Sequence, residues 1–305
     1  MSLRVSRGIF FAILASFISG FSIFINKIAV SIINPPLVFA AEKNAFVGLL
    51  IIGILLATRK WKKIKTLKKR EIFYLTLIGI IGGSLPFYLF FTGLSQTSAI
   101  NGALIHKTLV LWVAILAIPL LKERISKLQI FAVLLIFSAN FVVGGFTFLQ
   151  FSRGELFILL ATILWAVENI LAKKILPKVD PDIVVAARMG LGSLLLLGAS
   201  ALTAPAALSK SLFMSQTQWF WFMLAVILLL SYVMTWYRAL KFAPAITVAA
   251  ILVSATIITN VLSAIFVTHT WTITMGMQAL ATFSGVTLIW ITSKNQACKL
   301  VASKI

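Results

Sequence analysis

Long apolar stretches alternate with short polar ones along nearly the whole chain. A bilayer-spanning helix needs about 20 mostly apolar residues. Ten such runs occur, at roughly 8–30, 36–58, 72–94, 98–120, 127–148, 154–176, 181–203, 217–240, 244–267 and 272–292. The connections are short and carry turn residues: Asn34-Pro35-Pro36, Asp180-Pro181-Asp182 and Ala243-Pro244. The first run is longer than the ~7–15 residues of a signal-peptide core, and no small-x-small site follows it, so it reads as a span. No connection is long enough for a separate soluble domain. The pattern predicts an all-α integral membrane protein of ten transmembrane helices, multi-pass in a plasma (inner) membrane.

Composition agrees. Of 305 residues, 61% are hydrophobic and 11% charged, against about 45–50% and 25% in soluble domains. A soluble enzyme, a nucleic-acid reader and a disordered tail are excluded as main readings. The net charge of +20, from 27 Lys and Arg against 7 Asp and Glu, is then a matter of topology. Arg4 and Arg7 precede span one. The 2–3 connection carries Arg59, Lys60, Lys62, Lys63, Lys65, Lys68, Lys69 and Arg70. Lys122, Arg124, Lys127, Lys173, Lys174, Lys178, Arg238 and Lys241 flank the 4–5, 6–7 and 8–9 connections, and Lys294, Lys299 and Lys304 follow span ten. All lie on one side, which the positive-inside rule makes cytoplasmic, together with both termini. The 59–70 run reads as a topology anchor, although such a segment attracts anionic lipid at about 1 kcal/mol per charge. Trp61, Trp219 and Trp221 fit an interfacial aromatic belt. The single cysteine, Cys298, forms no internal disulfide.

The chain also repeats itself. At a displacement of 146 residues Gly8 meets Gly154, Lys27 meets Lys173, Pro35 meets Pro181, and Ala40-Ala41 meets Ala186-Ala187, with no gap. Two five-span units follow, 1–150 and 151–305. Five is odd, so the second unit enters the membrane inverted, the design of secondary transporters with a midplane site between repeats.

Two further features carry a family resemblance. Pro119 in span four is followed by a turn, Lys122-Glu123-Arg124-Ile125, into span five, and Trp165 lies eight residues before Lys173. With the repeated five-helix units, the chain resembles the EamA-type family of the drug/metabolite transporter superfamily over its whole length. It departs in having Thr268-His269-Thr270 where repeat one has Lys122-Glu123-Arg124, and Ser19 where repeat two has Trp165. The resemblance implies transport of a small metabolite, often export of amino acids or related compounds. It also implies a central cavity ringed by helices one, three, four, six, eight and nine, with two and seven further out. Small multidrug exporters of the superfamily need a Glu eight residues before the Lys of helix one. Ser19 and Trp165 stand there, which argues against their lipophilic-cation mechanism.

Ionisable residues at membrane depth read as functional. By helical rise, Glu42, Lys43, His106 and Lys107 fall in the outer half, and Glu168 and Arg188 in the inner half. Glu42 is expected to pair with Lys43 or Lys107, and Glu168 with Arg188. Because helices two and seven are implied to stand outside, Glu42, Lys43 and Arg188 read as intramembrane charge clamps. Lys107, His106 and Glu168 are the cavity candidates, Lys107 for a substrate anion and Glu168 for an amine or proton. Lys27 and Lys173 read as snorkelling. Polar stripes point to the same cavity: Ser16, Ser19, Ser22 and Asn26 on span one, and Thr162, Trp165 and Asn169 on span six. Tyr88, Tyr232 and Trp236 come from spans three and eight, and Ser254, Thr256, Thr259, Asn260 and Ser263 from span nine. Helix–helix hydrogen bonding is the competing reading of each stripe. Gly79 and Gly83, with Gly190 and Gly192, are expected to pack helices closely. Pro86 and Pro119 are expected to free carbonyls towards a cavity.

The expected activity is secondary transport, as exporter or exchanger, of a small polar or amphipathic metabolite such as an amino acid. An organic-anion, organophosphate or nucleotide-type exchanger is the alternative, and a channel, lipid scramblase or scaffold stands behind it. No HExxH, GxSxG or Walker A pattern occurs, so neither an enzyme, a metal or cofactor site, nor direct use of ATP is expected. The expected partners are a small-molecule substrate, the bilayer and a coupled proton or counter-substrate, without nucleic acid.

Overall fold

The computed structural model describes residues 2–33, 35–123, 125–144, 152–211 and 213–302, with the side chains of 2–4, 140–144 and 293–302 set aside. Asn34, Arg124, Lys304, the end of span five and the 150/151 boundary lie outside the described residues, as do the side chains of Arg4, Lys294, Cys298 and Lys299. The chain is all-helical: α1 (Ser2–Ile32), α2 (Pro36–Ala57), α3 (Lys69–Gln96), α4 (Ala99–Leu121), α5 (Lys127–Gly144), α6 (Arg153–Ile175), α7 (Pro181–Thr203), α8 (Gln216–Phe242), α9 (Ala245–Thr268) and α10 (Ile273–Ala302). Nine of these, among the described residues, are long and apolar enough to cross a membrane, and in α5 the segment Lys127–Ala139 is a shorter apolar helix. Helices suit this environment because their backbone groups are satisfied internally. Many large apolar side chains face outward, among them Leu49, Phe73, Leu194, Phe220 and Phe283. In water that would be costly; against lipid it is not.

Local chemistry sets the boundaries. Pro36 and Pro181 open α2 and α7, where the missing N–H costs nothing. Ser152 and Ser215 cap α6 and α8, each in a reciprocal box with Glu155 or Gln218 three residues on.

The packing maps onto itself at the displacement read from the sequence. α1 lies along α8 and α3 along α6, while α2 pairs with α7 and α5 with α10. A Cβ on Gly8 would meet Ala243 at 2.6 Å, and one on Gly154 would meet Gln96 at 2.9 Å, so both glycines let a helix start approach the end of its neighbour. α4 and α9 are interrupted at equivalent residues. Thr108 bonds back to the Ile105 carbonyl at 2.7 Å, and Ser254 to that of Ile251 at 2.7 Å; such back-bonding loosens a helix. Gly79 and Gly83 carry α3 onto α7, where Gly83 touches Gly192 and the Arg188 carbonyl.

Three expectations are corrected here. Lys27 does not snorkel: its Nζ donates to the carbonyls of Leu94 (2.9 Å) and Ser95 (3.3 Å) at the end of α3. Its counterpart Lys173 donates to Leu240 (2.6 Å) and Ala243 at the end of α8. Orphan carbonyls at a helix C-terminus are a good partner for an ammonium group, better than a stretched path to the interface. Pro119 does not open towards the centre; α4 continues through it, and the residue lies on an exposed face. α2 and α7 are not peripheral: they pack on each other across the repeats, and each sends a cation inward.

Glu123 has a structural task. Its carboxylate accepts from the backbone N–H groups of Ala245 (2.7 Å) and Ile246 (3.1 Å), tying the end of α4 to the start of α9.

Candidate functional site

The break in α3 creates the polar centre of the molecule. A π turn at Ile78–Gly82 precedes the segment Leu85–Gln96. Pro86 has no N–H to offer the carbonyl four residues back, that of Gly82. The freed oxygen accepts from Trp165 Nε1 at 3.0 Å and from Arg188 Nε at 3.1 Å. The next carbonyl, of Gly83, accepts from Asn44 Nδ2 at 3.0 Å. One proline thus orients an indole from α6 and a guanidinium from α7.

Around this centre lies a cavity of about 60 Å³. α1 contributes Ser19, Ser22, Ile23 and Asn26, α2 Lys43, α3 Phe87, Phe90 and Phe91, and α4 His106 and Leu109. From the other repeat come Trp165, Glu168 and Asn169 of α6, Arg188 of α7, and Leu229, Tyr232 and Trp236 of α8.

Glu168 is fully buried. Tyr237 donates to its Oε1 at 2.5 Å, Arg188 Nη1 lies 3.9 Å from its Oε2, and Oε2 accepts no hydrogen bond among the described residues. Gly82 makes room for this side chain, since a Cβ there would collide with Glu168 Cγ. Arg188 also donates to Tyr237 Oη at 3.3 Å and lies over the rings of Phe87, Trp165 and Tyr237. Buried charge is tolerated when paired and hydrogen-bonded in this way. Trp236 Nε1 donates to Asn169 Oδ1 at 2.8 Å and stacks on Tyr232. His106 meets Phe90 and Trp165 edge-on, and its Nδ1 lies 3.5 Å from Lys107 Nζ.

Nine sequence candidates therefore line the cavity: Ser19, Ser22, Asn26, His106, Trp165, Glu168, Asn169, Tyr232 and Trp236. Others do not. Lys107 lies behind the wall and donates to Ser19 Oγ at 3.0 Å. Tyr88 points outward and is 38% exposed. Asn260 is absorbed in helix packing, donating to Gln278 Oε1 at 2.8 Å. Ser16, bonded to Ser254, and Thr259, bonded to the Gly20 carbonyl, likewise join α1 to α9.

The charge pairs are rearranged too. Glu42 meets neither lysine but accepts from Ser211, in the short helix Pro205–Ser211 before α8. Adjacent helical residues point in different directions, and Lys43 turns instead to Asn26 Oδ1 (2.9 Å) and the Phe91 ring (3.6 Å to its centroid). Lys43 and Arg188, expected as outlying clamps, are cavity cations. Sequence reasoning also missed Phe87, Phe90 and Phe91, whose i, i+3, i+4 spacing beside Pro86 was the available signal, and Tyr237.

A second ionic cluster lies away from the cavity. Asp182 at the start of α7 meets Arg238 of α8 at 2.7 Å and also Lys60, while Asp180 meets Lys63 at 2.8 Å. Burial pushes the Asp180 carboxyl up, but Lys63, the Asp182 backbone N–H and Lys60 together hold it below its usual range. Burial likewise works against the Lys60 ammonium, and its bond to Asp182 and the two carboxylate charges win, raising it. Among the described residues no group of three His, Cys, Asp or Glu could hold a metal ion.

Comparison with known proteins gives this architecture its context. The EamA-like transporter family matches residues 6–145 and again 152–291, a displacement of 146 residues at both ends. The chain is 31% identical over 180 residues to the uncharacterized transporter YyaM of Bacillus subtilis (strain 168), covering 56% of this chain and 58% of that protein. The chain thus spans less than two thirds of the curated relative's length. One solved protein crystal structure, 16% identical, superposes with a TM-score of 0.74 over 97% of this chain and 99% of the other, and shares the fold. Family and relative point to a transporter rather than an enzyme. With its apolar spans and two matched repeats, the chain is a multi-pass integral membrane protein and belongs to the EamA-like transporter family.

Proposed function

We propose that the protein is a secondary carrier, exporter or exchanger, that moves a small amphipathic metabolite such as an amino acid through the central cavity. The repeats, 1–150 and 151–305, lie inverted in the membrane with both termini cytoplasmic, and they rock about the bound solute. The observation that carries this reading is a cavity walled by both repeats, in which one buried carboxylate oxygen, Glu168 Oε2, accepts no hydrogen bond among the described residues. Glu168 would meet a substrate N–H or carry a proton, with His106 as the second titratable group. Exchange of an organic anion is the second reading, favoured by the cavity cation Lys43, which has no carboxylate in ion-pair contact among the described residues.

Counterflow in proteoliposomes tests this. A panel of labelled amino acids and organic acids is offered to vesicles loaded with the same solutes. Saturable, trans-stimulated uptake of at least one is expected, and it should fall in Glu168→Gln. Flux that is linear in concentration and indifferent to internal solute would establish a channel instead.

A further inference from the structure

The direction of the hydrogen bonds along α1 decides what that wall can accept. An ammonium group only donates. Lys43 Nζ lies 2.9 Å from Asn26, so the Asn26 atom facing it is the carbonyl oxygen, and the lysine fixes the amide orientation. Asn26 Nδ2 then donates to the Ser22 carbonyl at 2.6 Å and to Ser22 Oγ at 2.9 Å. Ser22 Oγ is thereby an acceptor within the protein, and its own O–H remains to donate. The same logic holds at Ser19, whose Oγ accepts from Lys107 Nζ at 3.0 Å. Both serines, Asn26 and Lys43 line the cavity. Glu168 Oε2, on α6, accepts no hydrogen bond among the described residues and faces Arg188 at 3.9 Å, so that side of the cavity favours a donor, whereas the serine O–H groups on α1 and Lys43 on α2 favour an acceptor. Lys43 itself is fully buried, and among the described residues its amino group meets Asn26 and the faces of Phe91 and Phe39. A buried cation in that position lacks the counter-charge that such groups normally have.

We propose that Ser19, Ser22 and Lys43 form a hydrogen-bond-donating subsite for the anionic group of the transported solute, and that Lys43 sets the preference for an anion. Lys107 is a positioning residue that acts through Ser19. The apolar remainder of the solute lies among Phe87, Phe90 and Trp236. This assignment rests on the reading of the cavity as the substrate site.

The test uses the full chain in detergent micelles and follows tryptophan fluorescence, since Trp165 and Trp236 border the cavity. Three probes share one apolar body: 3-phenylpropanoate, its neutral amide, and 2-phenylethylphosphonate. The wild type should bind the carboxylate at least tenfold more tightly than the amide, and the phosphonate arm separates a carboxylate site from a phosphate-type one. Lys43→Met should bring the acid-to-amide ratio to about one, Lys43→Arg should keep it, and Ser19→Ala/Ser22→Ala should lower it several-fold while amide binding persists. Equal binding of acid and amide by the wild type, or an undiminished preference in both Lys43→Met and the double serine variant, overturns the assignment and leaves the cavity reading intact. If no probe binds the wild type, the cavity reading falls, and the assignment with it.

Discussion

Replacing Arg188 by Met tests whether the central polar cluster holds α6 and α7 together through charge. The guanidinium bonds Gly82 O and Tyr237 Oη and lies 3.9 Å from Glu168 Oε2. Its loss leaves a fully buried carboxylate with one hydrogen bond, from Tyr237. Breaking a buried pair from one side costs about 3–5 kcal/mol. Glu168→Gln strands less, because Arg188 keeps two oxygen partners and three aromatic faces, so about 1–3 kcal/mol is expected. The double variant Arg188→Met/Glu168→Gln removes both charges. It should be milder than the sum of the singles by about 0.5–3 kcal/mol, the usual range for residues in contact. The value should fall below the top of that range, because no hydrogen bond joins the two groups directly: they couple by Coulomb attraction and through Tyr237 Oη, which accepts from one and donates to the other. Equilibrium unfolding by SDS in mixed micelles, followed by tryptophan fluorescence, measures all three variants against the wild type. If the double variant equals the sum of the singles within about 0.3–0.5 kcal/mol, the charges are independent and the argument fails.

Two further outcomes follow from groups outside the cavity. Asp180 is held below its usual carboxylate range, so the stability that it contributes is present above that range and lost as pH falls through the depressed folded value. Lys60 is raised, so its share is present below the ordinary lysine range and lost only as pH rises through the elevated value. Thermal stability in detergent should therefore be flat near neutrality and fall at both extremes; Asp180→Asn should blunt the acid limb, and a wild-type acid limb unchanged in that variant would refute the linkage. Lys27→Met and Lys173→Met should each cost about 1.5–3 kcal/mol, the worth of a charged hydrogen bond, and should be additive because they clamp different helix ends. A null effect of both on SDS unfolding would return these lysines to the lipid interface.

How much of this was readable beforehand differs residue by residue. Nine of the ten spans were, among the described residues, because apolar length is a strong constraint in lipid and little else competes with it. The 146-residue register was, because Gly8 and Lys27 do the same physical work as Gly154 and Lys173. Relative height on neighbouring helices was legible for one pair, Glu168 and Arg188, which approach to 3.9 Å. Azimuth around a helix was not. Lys107 and His106 are neighbours in sequence, yet one faces Ser19 from behind and the other faces the cavity. Lys43 and Glu42 part company in the same way. Half-polar stripes were ambiguous in principle: Ser19 and Asn260 look alike in a sequence, and only the partner helix decides that one lines a cavity and the other bonds Gln278. The role of Pro86 was foreseen as a freed carbonyl, but its acceptors' partners, Trp165 and Arg188, come from other helices and could not be read locally.

The residue that corresponds to Pro86 in the second repeat is Tyr232, on an unbroken α8. A cavity with true two-fold symmetry would hold a solute equally well in either of two opposed orientations, and each crossing would begin from a coin toss. Here one half presents an opened backbone with a guanidinium bound to it, and the other a stacked phenol and indole. For the carrier proposed above, the two poses would differ in energy, and a passenger would be seated one way round and show the same end to the same side of the membrane on every cycle.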